Sequence, residues 1–565
     1  MAVSGSVVEA VLQSDGSGKF EVPTGNPSIV DSTIQSEITV LQQAGLRLEG
    51  TIENEGEIVV SETSGGGSTR LLITDLVTLS GGGVVDLQSI SDSFAANIDR
   101  SGATGTLSNV DNTIQGRGLV GRNRVQIANQ SAGVINANDP DGRLTFDSLG
   151  TAINRGLFTA SAGGELFLTG DIDNANGLIE SQNDSTITLN GSANVIGGTL
   201  RNVGTGGFTF ASGTVTDATF DGVFTVGQQL TLFLDGTINN QGEIVISETS
   251  GGGVAQLAID DSVSLTGGGI VNLQSVSDAF TARITGSGGI LTNVDNTIQG
   301  RGRIGFNTLQ VINQAGGTIH ANVAGFLTVD MPNSNPTFEN EGTLKASNGG
   351  TLNFVNALEN SGRMEGDSTI DSGETIVNAG TIAPGNSIGE LTIGQDLDFT
   401  GDAAFEIELD ATSGTAGTNW DQLVVSGDLD LDQADSITVN LISLGASGAP
   451  GALASFDPDT SFSIEIVDAT SISGFSFATF SVDSSQFANS FGGSFFVSNS
   501  GSSLMLNYTP ISLGDLNGDG EINLLDVEPF VAALSGGGFV PEADINQDGV
   551  VNLLDIQPFI TLLTS

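Results

Sequence analysis

The chain has 565 residues, with 66 acidic against 15 basic side chains and a formal charge of −51; its last basic residue is Arg363, so the 202 residues from Met364 to Ser565 carry no lysine, arginine or histidine. A phosphate backbone is tracked by clustered Lys and Arg that displace counterions, so this balance argues against nucleic acid as a partner, and the C-terminal stretch can reach an anionic surface only through bound divalent cations. Eighty glycines argue against a mainly helical protein, the absence of cysteine removes disulfides and thiolate sites, and no apolar run approaches the ~18 residues of a direct membrane span.

Residues 1–26 read as an N-terminal cap. The opening MAVSGSVVEAVLQSDGSGKF lacks the basic start and continuous apolar core of a secretory leader, so an exported protein is expected to be numbered after a removed one. A long repeat follows. GTIENEGEIVVSETSGGG from Gly50 returns as GTINNQGEIVISETSGGG from Gly236, and LSGGGVVDLQSISDSF from Leu79 returns from Leu265, both at an offset of 186 residues. NVDNTIQGRG recurs from Asn109 to Asn293 at an offset of 184, so the second copy has lost two residues near Gly289. The copies are assigned to residues 27–212 and 213–395.

Inside each copy runs a shorter beat, an Asn followed two residues later by Gly: Asn154-Arg155-Gly156, Asn340-Glu341-Gly342, Asn360-Ser361-Gly362 and Asn378-Ala379-Gly380. A period near 20 filled with short β-rich runs suits one coil of a β-solenoid. Inward Ile, Leu, Val and Phe stack, Asn and Gly take corners that need left-handed backbone, and matching asparagines form side-chain ladders. His320, the single histidine, stands where the first copy has Asn136, which points to a corner or surface role; Arg117 and Arg301, both within QGRG, read as turn-stabilising; Trp420 and Tyr508 read as core.

The Asn-x-Gly beat, with Thr381-Ile382-Ala383-Pro384-Gly385-Asn386-Ser387-Ile388-Gly389 and Asn419-Trp420-Asp421-Gln422-Leu423-Val424-Val425, resembles the autotransporter-associated β-strand repeat proteins of bacterial surfaces over about residues 27–430. That resemblance implies a right-handed parallel β-helix of about 19 coils at the strand spacing of ~4.8 Å, exported and adhesive or structural. From residue 396 to 510, acids alternate with apolar residues, as in Phe405-Glu406-Ile407-Glu408-Leu409, and the expectation is antiparallel sheet that caps the solenoid or forms a sandwich.

Residues 512–565 change character. Asp515, Asn517, Asp519, Asn523 and Asp526 place side-chain oxygens at positions 1, 3, 5, 9 and 12 of a loop with Gly520 at position 6, and Glu521 offers its main-chain carbonyl at position 7. Twenty-nine residues on, Asp544, Asn546, Asp548, Asn552 and Asp555 repeat the pattern, with Gly549 at 6 and the Val550 carbonyl at 7. Calcium takes six to eight hard oxygen ligands, which a twelve-residue EF-hand-like loop supplies when position 6 can turn sharply. Two calcium ions are expected. Each loop runs into an apolar stripe, Leu524, Val527, Phe530, Val531, Leu534 and Leu553, Ile556, Phe559, Ile560, Leu563, at the spacing of one helical face. Pro529 and Pro558 fit only in a first helical turn.

The pair resembles a type I dockerin, with aspartate at position 12. The resemblance implies calcium binding and docking to a protein partner, cohesin-like or another surface protein. Cohesin-binding dockerins use positions 10 and 11 and a basic pair along the helix; here these are Leu524-Leu525, Leu553-Leu554, Val531-Ala532 and Ile560-Thr561, a departure from the cellulosomal pattern. The resulting expectation is a mainly β, extracellular or cell-surface structural or adhesive solenoid, attached through a calcium-binding module, with polysaccharide as a further candidate partner. The alternative is a polysaccharide-active enzyme or a carbohydrate-binding component docked to a scaffold. An enzyme should break the repeat symmetry with inserted loops and clustered ionisable residues, whereas the matched segments above differ mainly by conservative changes.

Overall fold

Short runs that alternate apolar with polar residues make strands with one buried and one solvated face, as in Glu165–Thr169, where Leu166 and Leu168 are buried. In the computed structural model, which describes residues 1–16, 18–64, 67–90, 95–276, 281–536 and 539–564, such strands pair almost throughout in parallel as a β-solenoid of about 17 turns. Two compact units are present, residues 1–343 with 350–356 and residues 344–349 with 357–565. Among the described residues no helix is long and apolar enough to cross a membrane.

In the first unit, pairing begins at once: Val7–Val8 lies parallel to Ser28–Ile34, and Phe20–Val22 to Ile38–Val40. Register places like on like. Ile114, Ile135, Phe158, Ile179, Leu200 and Phe220 are successive partners one coil apart, and all are fully buried. The boundary between the sequence copies leaves no break in this pairing, since Thr199–Asn202 pairs with Thr219–Asp221 and Gly207–Thr216 with Thr231–Asn240. A solenoid coil needs only its two neighbours, so a duplicated block joins its twin through an ordinary coil contact.

The asparagine ladder is present, with a different backbone from the one expected. Asn129, Asn154, Asn313 and Asn340 end strands, are buried, and are absent from the left-handed positions, which fall instead on residues such as Asp31, Asn123 and Asp217. Each amide donates to the next coil's amide oxygen: Asn109 to Asn129 at 2.8 Å, Asn129 to Asn154 at 2.9 Å and Asn154 to Asn174 at 2.7 Å. The second copy repeats it from Asn293 through Asn313 to Asn340. The glycine two residues on serves close approach: a Cβ on Gly156 would collide with the Gln130 and Gly133 carbonyl oxygens. One coil per copy carries a Gly-Gly-Gly corner in place of Asn, and there Asn54 donates across it to Asn112, as Asn240 does to Asn296. A buried amide left without a partner costs about 1–3 kcal/mol, so the ladder is as specific a lock on register as the apolar stacks.

Arg117 and Arg301 lie against Gly142 and Gly325 of the following coil, in keeping with a structural part. His320 sits half-buried on an outward row of Thr318–Ala321, opposite Gln299.

In the second unit, Asn360 donates to Asn378 at 2.7 Å, and the next coil puts Phe399 in register with Asn378. Parallel pairing then continues where antiparallel sheet was expected from residue 396: Leu397–Leu409 lies parallel to Gln422–Ser443, which lies parallel to Phe462–Ser473. Antiparallel pairing does occur, of Ser503–Thr509 with Phe462–Ser473 and Ser494–Ser500 and at isolated bridges such as Leu409–Trp420 and Leu444–Pro450. Period-2 alternation reports a solvated face and carries no strand direction, so acids at Glu406 and Glu408 could not distinguish the two. Trp420 is buried and donates its indole N–H to the Glu465 carbonyl at 2.8 Å. Tyr508 is buried among Phe456, Phe462 and Phe495 and donates to the Pro458 carbonyl at 2.8 Å.

Candidate metal centre

The two oxygen-rich loops each close on themselves through their first and last aspartates. In the first, Asp526 accepts from the main-chain N–H of Leu516 at 2.7 Å, Asn517 at 3.0 Å and Asn523 at 2.8 Å, while Asp515 accepts from Gly518 and Gly520, both at 2.9 Å. In the second, Asp555 accepts from Asn546 at 3.0 Å and Asn552 at 2.8 Å, and Asp544 from Asp548 at 3.1 Å and Gly549 at 2.8 Å. Asp526 and Asp555 are fully buried, and Asp515 and Asp544 nearly so. Burial pushes the Asp526 carboxyl up, but the three N–H groups of Asn523, Asn517 and Leu516 outweigh it and hold it below the ordinary carboxylate range.

Backbone shape matches in the two loops. Gly520 and Gly549 at position 6 have φ of 84° and 83°. Position 4 is left-handed as well, at Gly518 (73°) and Gln547 (57°), a second bend that sequence spacing did not reveal. Asn517 and Asn546 stand beside Asp519 and Asp548, to which their amides donate at 2.9 Å and 3.1 Å, and Asn523 and Asn552 each accept the N–H two residues on at 2.8 Å. Among the described residues, no three carboxylate or imidazole groups alone gather closely enough to hold an ion. The donor set therefore draws on the asparagines and on the carbonyls of Glu521 and Val550, all hard oxygens of the kind calcium prefers.

Each loop leads into a helix, α1 (Val527–Gly536) and α2 (Ile556–Leu563), so Pro529 and Pro558 fall in first turns. The helices meet through Phe530 and Phe559, stacked with centroids 4.0 Å apart, over a core that adds only Ala543 and Ile545 as buried residues. The apolar stripe is narrower than its spacing suggested. Leu524 is 81% exposed and Leu553 77%, because both precede the helices; Val531 and Ile560 turn about 100° past the buried phenylalanines and are also exposed. Leu525 and Leu554 join them at the surface. Two Leu-Leu pairs in otherwise polar loops were the sequence signal for an exposed apolar face.

A separate titratable cluster lies in the solenoid part of this unit, around a cavity of about 130 Å3 lined by Lys345, Arg363, Glu365, Glu406, Glu408 and Asp421. Arg363 forks onto Glu406 at 3.0 and 2.8 Å, and Lys345 meets Glu365 at 2.8 Å. Asp421 is buried and accepts from Gly389 N–H at 2.9 Å and Glu408 N–H at 2.7 Å, which joins the Gly385-Asn386-Ser387 turn to the Asn419-Trp420-Asp421 segment. Burial raises its pKa to about 8, against the pull of those two N–H groups.

The type I dockerin domain family matches residues 513–563, the segment that holds both loops and both helices. Type I dockerin domains bind calcium and dock to cohesin partners, and proteins that carry them are typically extracellular or at the cell surface. No curated protein matches the chain.

Proposed function

We propose that the protein is a secreted or surface-displayed structural or adhesive β-solenoid, attached through its dockerin module to a protein partner when two calcium ions are bound. The observation that carries this reading is the pair of buried position-12 aspartates, Asp526 and Asp555, each gathering main-chain N–H groups of its own loop. Asp515, Asn517, Asp519, Asn523 and Asp526, with the Glu521 carbonyl, hold one ion. Asp544, Asn546, Asp548, Asn552 and Asp555, with the Val550 carbonyl, hold the other. Calcium neutralises the loop carboxylates, and the loops then fix the helices that follow Leu524-Leu525 and Leu553-Leu554.

Those exposed leucines favour a partner with a matching apolar face, whether cohesin-like or another surface protein, over one recognised by charge. The test is capture from the native envelope by the full chain, in calcium and in chelator. A partner held only in calcium, and lost from Leu525→Asp with Leu554→Asp, supports the reading. Equal capture in chelator refutes it.

A further inference from the structure

Among the places where the two repeats differ is one patch of the solenoid surface. In the first repeat, Asp99 is fully buried and paired with Arg122 at 3.5 Å and Arg124 at 3.0 Å. The corresponding residues of the second repeat are Thr285, Phe306 and Thr308, while Asn97 and Leu119 are replaced by Arg283 and Arg303. The backbone is unchanged: Arg122 and Asn123 have φ of 57° and 51°, and Phe306 and Asn307 have 54° and 57°. A buried aspartate bridged by two arginines has thus given way, on the same turn, to two guanidinium groups beside a phenylalanine.

Arg283 and Arg303 are direct register partners on adjacent parallel strands. Arg303 is tied to Asp330 at 2.5 Å. Among the described residues Arg283 meets no carboxylate: its Nε and Nη2 donate to the Gln256 Oε1 at 3.1 and 2.8 Å, and its guanidinium carbon stands 5.0 Å from the centroid of Phe306, itself 38% exposed. A guanidinium has five N–H donors in a fixed fork; two are used, so three remain, enough for a bidentate carboxylate.

We propose that Arg283, held against Phe306, binds the carboxylate of a uronic-acid residue in a glycan laid across the strands of the second repeat. The row in which it sits runs Thr231, Gln256, Arg283, Arg303, Thr328, Asn353, successive register partners at the strand spacing of ~4.8 Å. A hydroxyl-rich chain crossing that row meets Thr231 and the Gln256 amide on one side of the charge and, past the buried Thr328, the Asn353 amide on the other. An extended acidic peptide would seek a strand edge with free N–H and C=O groups, and these strands are paired on both sides. Burial lowers the pKa of Arg283, which fits a cation whose partner lies outside the chain.

The site belongs to the solenoid alone and does not rest on the docking reading, so it is tested with chelator present. Calorimetric titration of the full chain with a galacturonate oligomer should show binding at least tenfold tighter than with the same oligomer methyl-esterified. Arg283→Asn restores the first repeat's residue at a site where that residue already folds, and should weaken binding of the acid oligomer tenfold or more with the solenoid melting transition unchanged. Arg283→Lys, which keeps charge but loses the fork, should fall between, and supplies the comparison if Arg283→Asn fails to fold. No binding of the acid oligomer, equal binding of the ester, or indifference to both substitutions overturns the proposal. Equal, Arg283-dependent binding of polyglutamate also overturns it, in favour of an acidic protein.

Discussion

The solenoid and the dockerin module solve the same problem of buried polar groups in opposite ways. Along the coils, ladder asparagines find partners in the next coil: Asn129 gives to Asn154, which gives to Asn174. In the module, Asp515, Asp526, Asp544 and Asp555 are drawn inward as anions over a core of only Phe530, Ala543, Ile545 and Phe559 as buried residues. Neutral amides satisfy one another and need nothing from solution, whereas inward carboxylates repel until a cation arrives. Stability should therefore be intrinsic in one region and borrowed from calcium in the other.

The largest effect separates the two directly. Calorimetry of the full chain should show a small calcium-dependent transition for the module and a larger one for the solenoid that chelator does not move. With free calcium at 100 times its dissociation constant, the module gains about 2.7 kcal/mol per ion. A single transition that shifts as a whole with calcium would dissolve the contrast.

Next in size is a pH effect confined to the second unit's solenoid coils. Burial raises the Asp421 carboxyl from the ordinary aspartate value of 3.8 to about 8 in the folded chain. The folded state therefore binds a proton that the unfolded state has released, and this contribution to stability is full below pH 3.8 and drains away as pH rises to about 8. Between pH 5 and 8 the loss should reach on the order of 3 kcal/mol. Glu365 works in another window: burial is outweighed by Lys345 and Arg363, its pKa is lowered, and its contribution is lost only as pH falls through the acid range. Asp421→Asn should flatten the fall from pH 5 to 8 in a melting series; an unchanged slope would mean that Asp421 is ionised in the folded chain.

Somewhat smaller is the cost of cutting the amide ladder. Asn154→Ala leaves the Asn174 oxygen without its donor and removes the acceptor of Asn129, and should destabilise the first unit by about 2–3 kcal/mol. Denaturant unfolding at constant slope measures it. A cost below about 0.5 kcal/mol, typical of surface positions, would show that the apolar stacks alone fix the register.

What sequence reading reached follows the same division between repeated and single features. Coil period, stacked interior and asparagine ladder were legible because each recurs, and a recurrent residue reports a recurrent environment. The local conformation of Asn154 was not, since Asn favours both left-handed corners and buried amide pairs, and only the fold decides which applies. Strand direction after residue 396 was hidden for the reason given by Glu406 and Glu408. Asp421 is visible in the sequence as part of a motif, but its environment depends on Gly389 and Glu408 brought together by the fold. The donor order of the loops at Asp515 and Asp544 was legible from their spacing, while the exposure of Leu524 and Val531 was missed because the stripe was started before α1 and made wider than the face that packs.

The smallest stability effect carries the sharpest functional contrast. Leu525 and Leu554 are 67% and 66% exposed and contribute nothing to the Phe530–Phe559 core, so replacing both with Asp should move the module's melting by no more than about 0.5 kcal/mol per site. If those side chains are what the partner buries, the same pair of changes should abolish calcium-dependent capture, because each docked leucine then forfeits about 2 kcal/mol of apolar burial and a carboxylate must be desolvated in its place. Loss of capture with intact calcium binding and intact melting places recognition on this apolar face. Capture that survives moves recognition elsewhere on the module and leaves the leucines as surface residues whose exposure the fold merely tolerates.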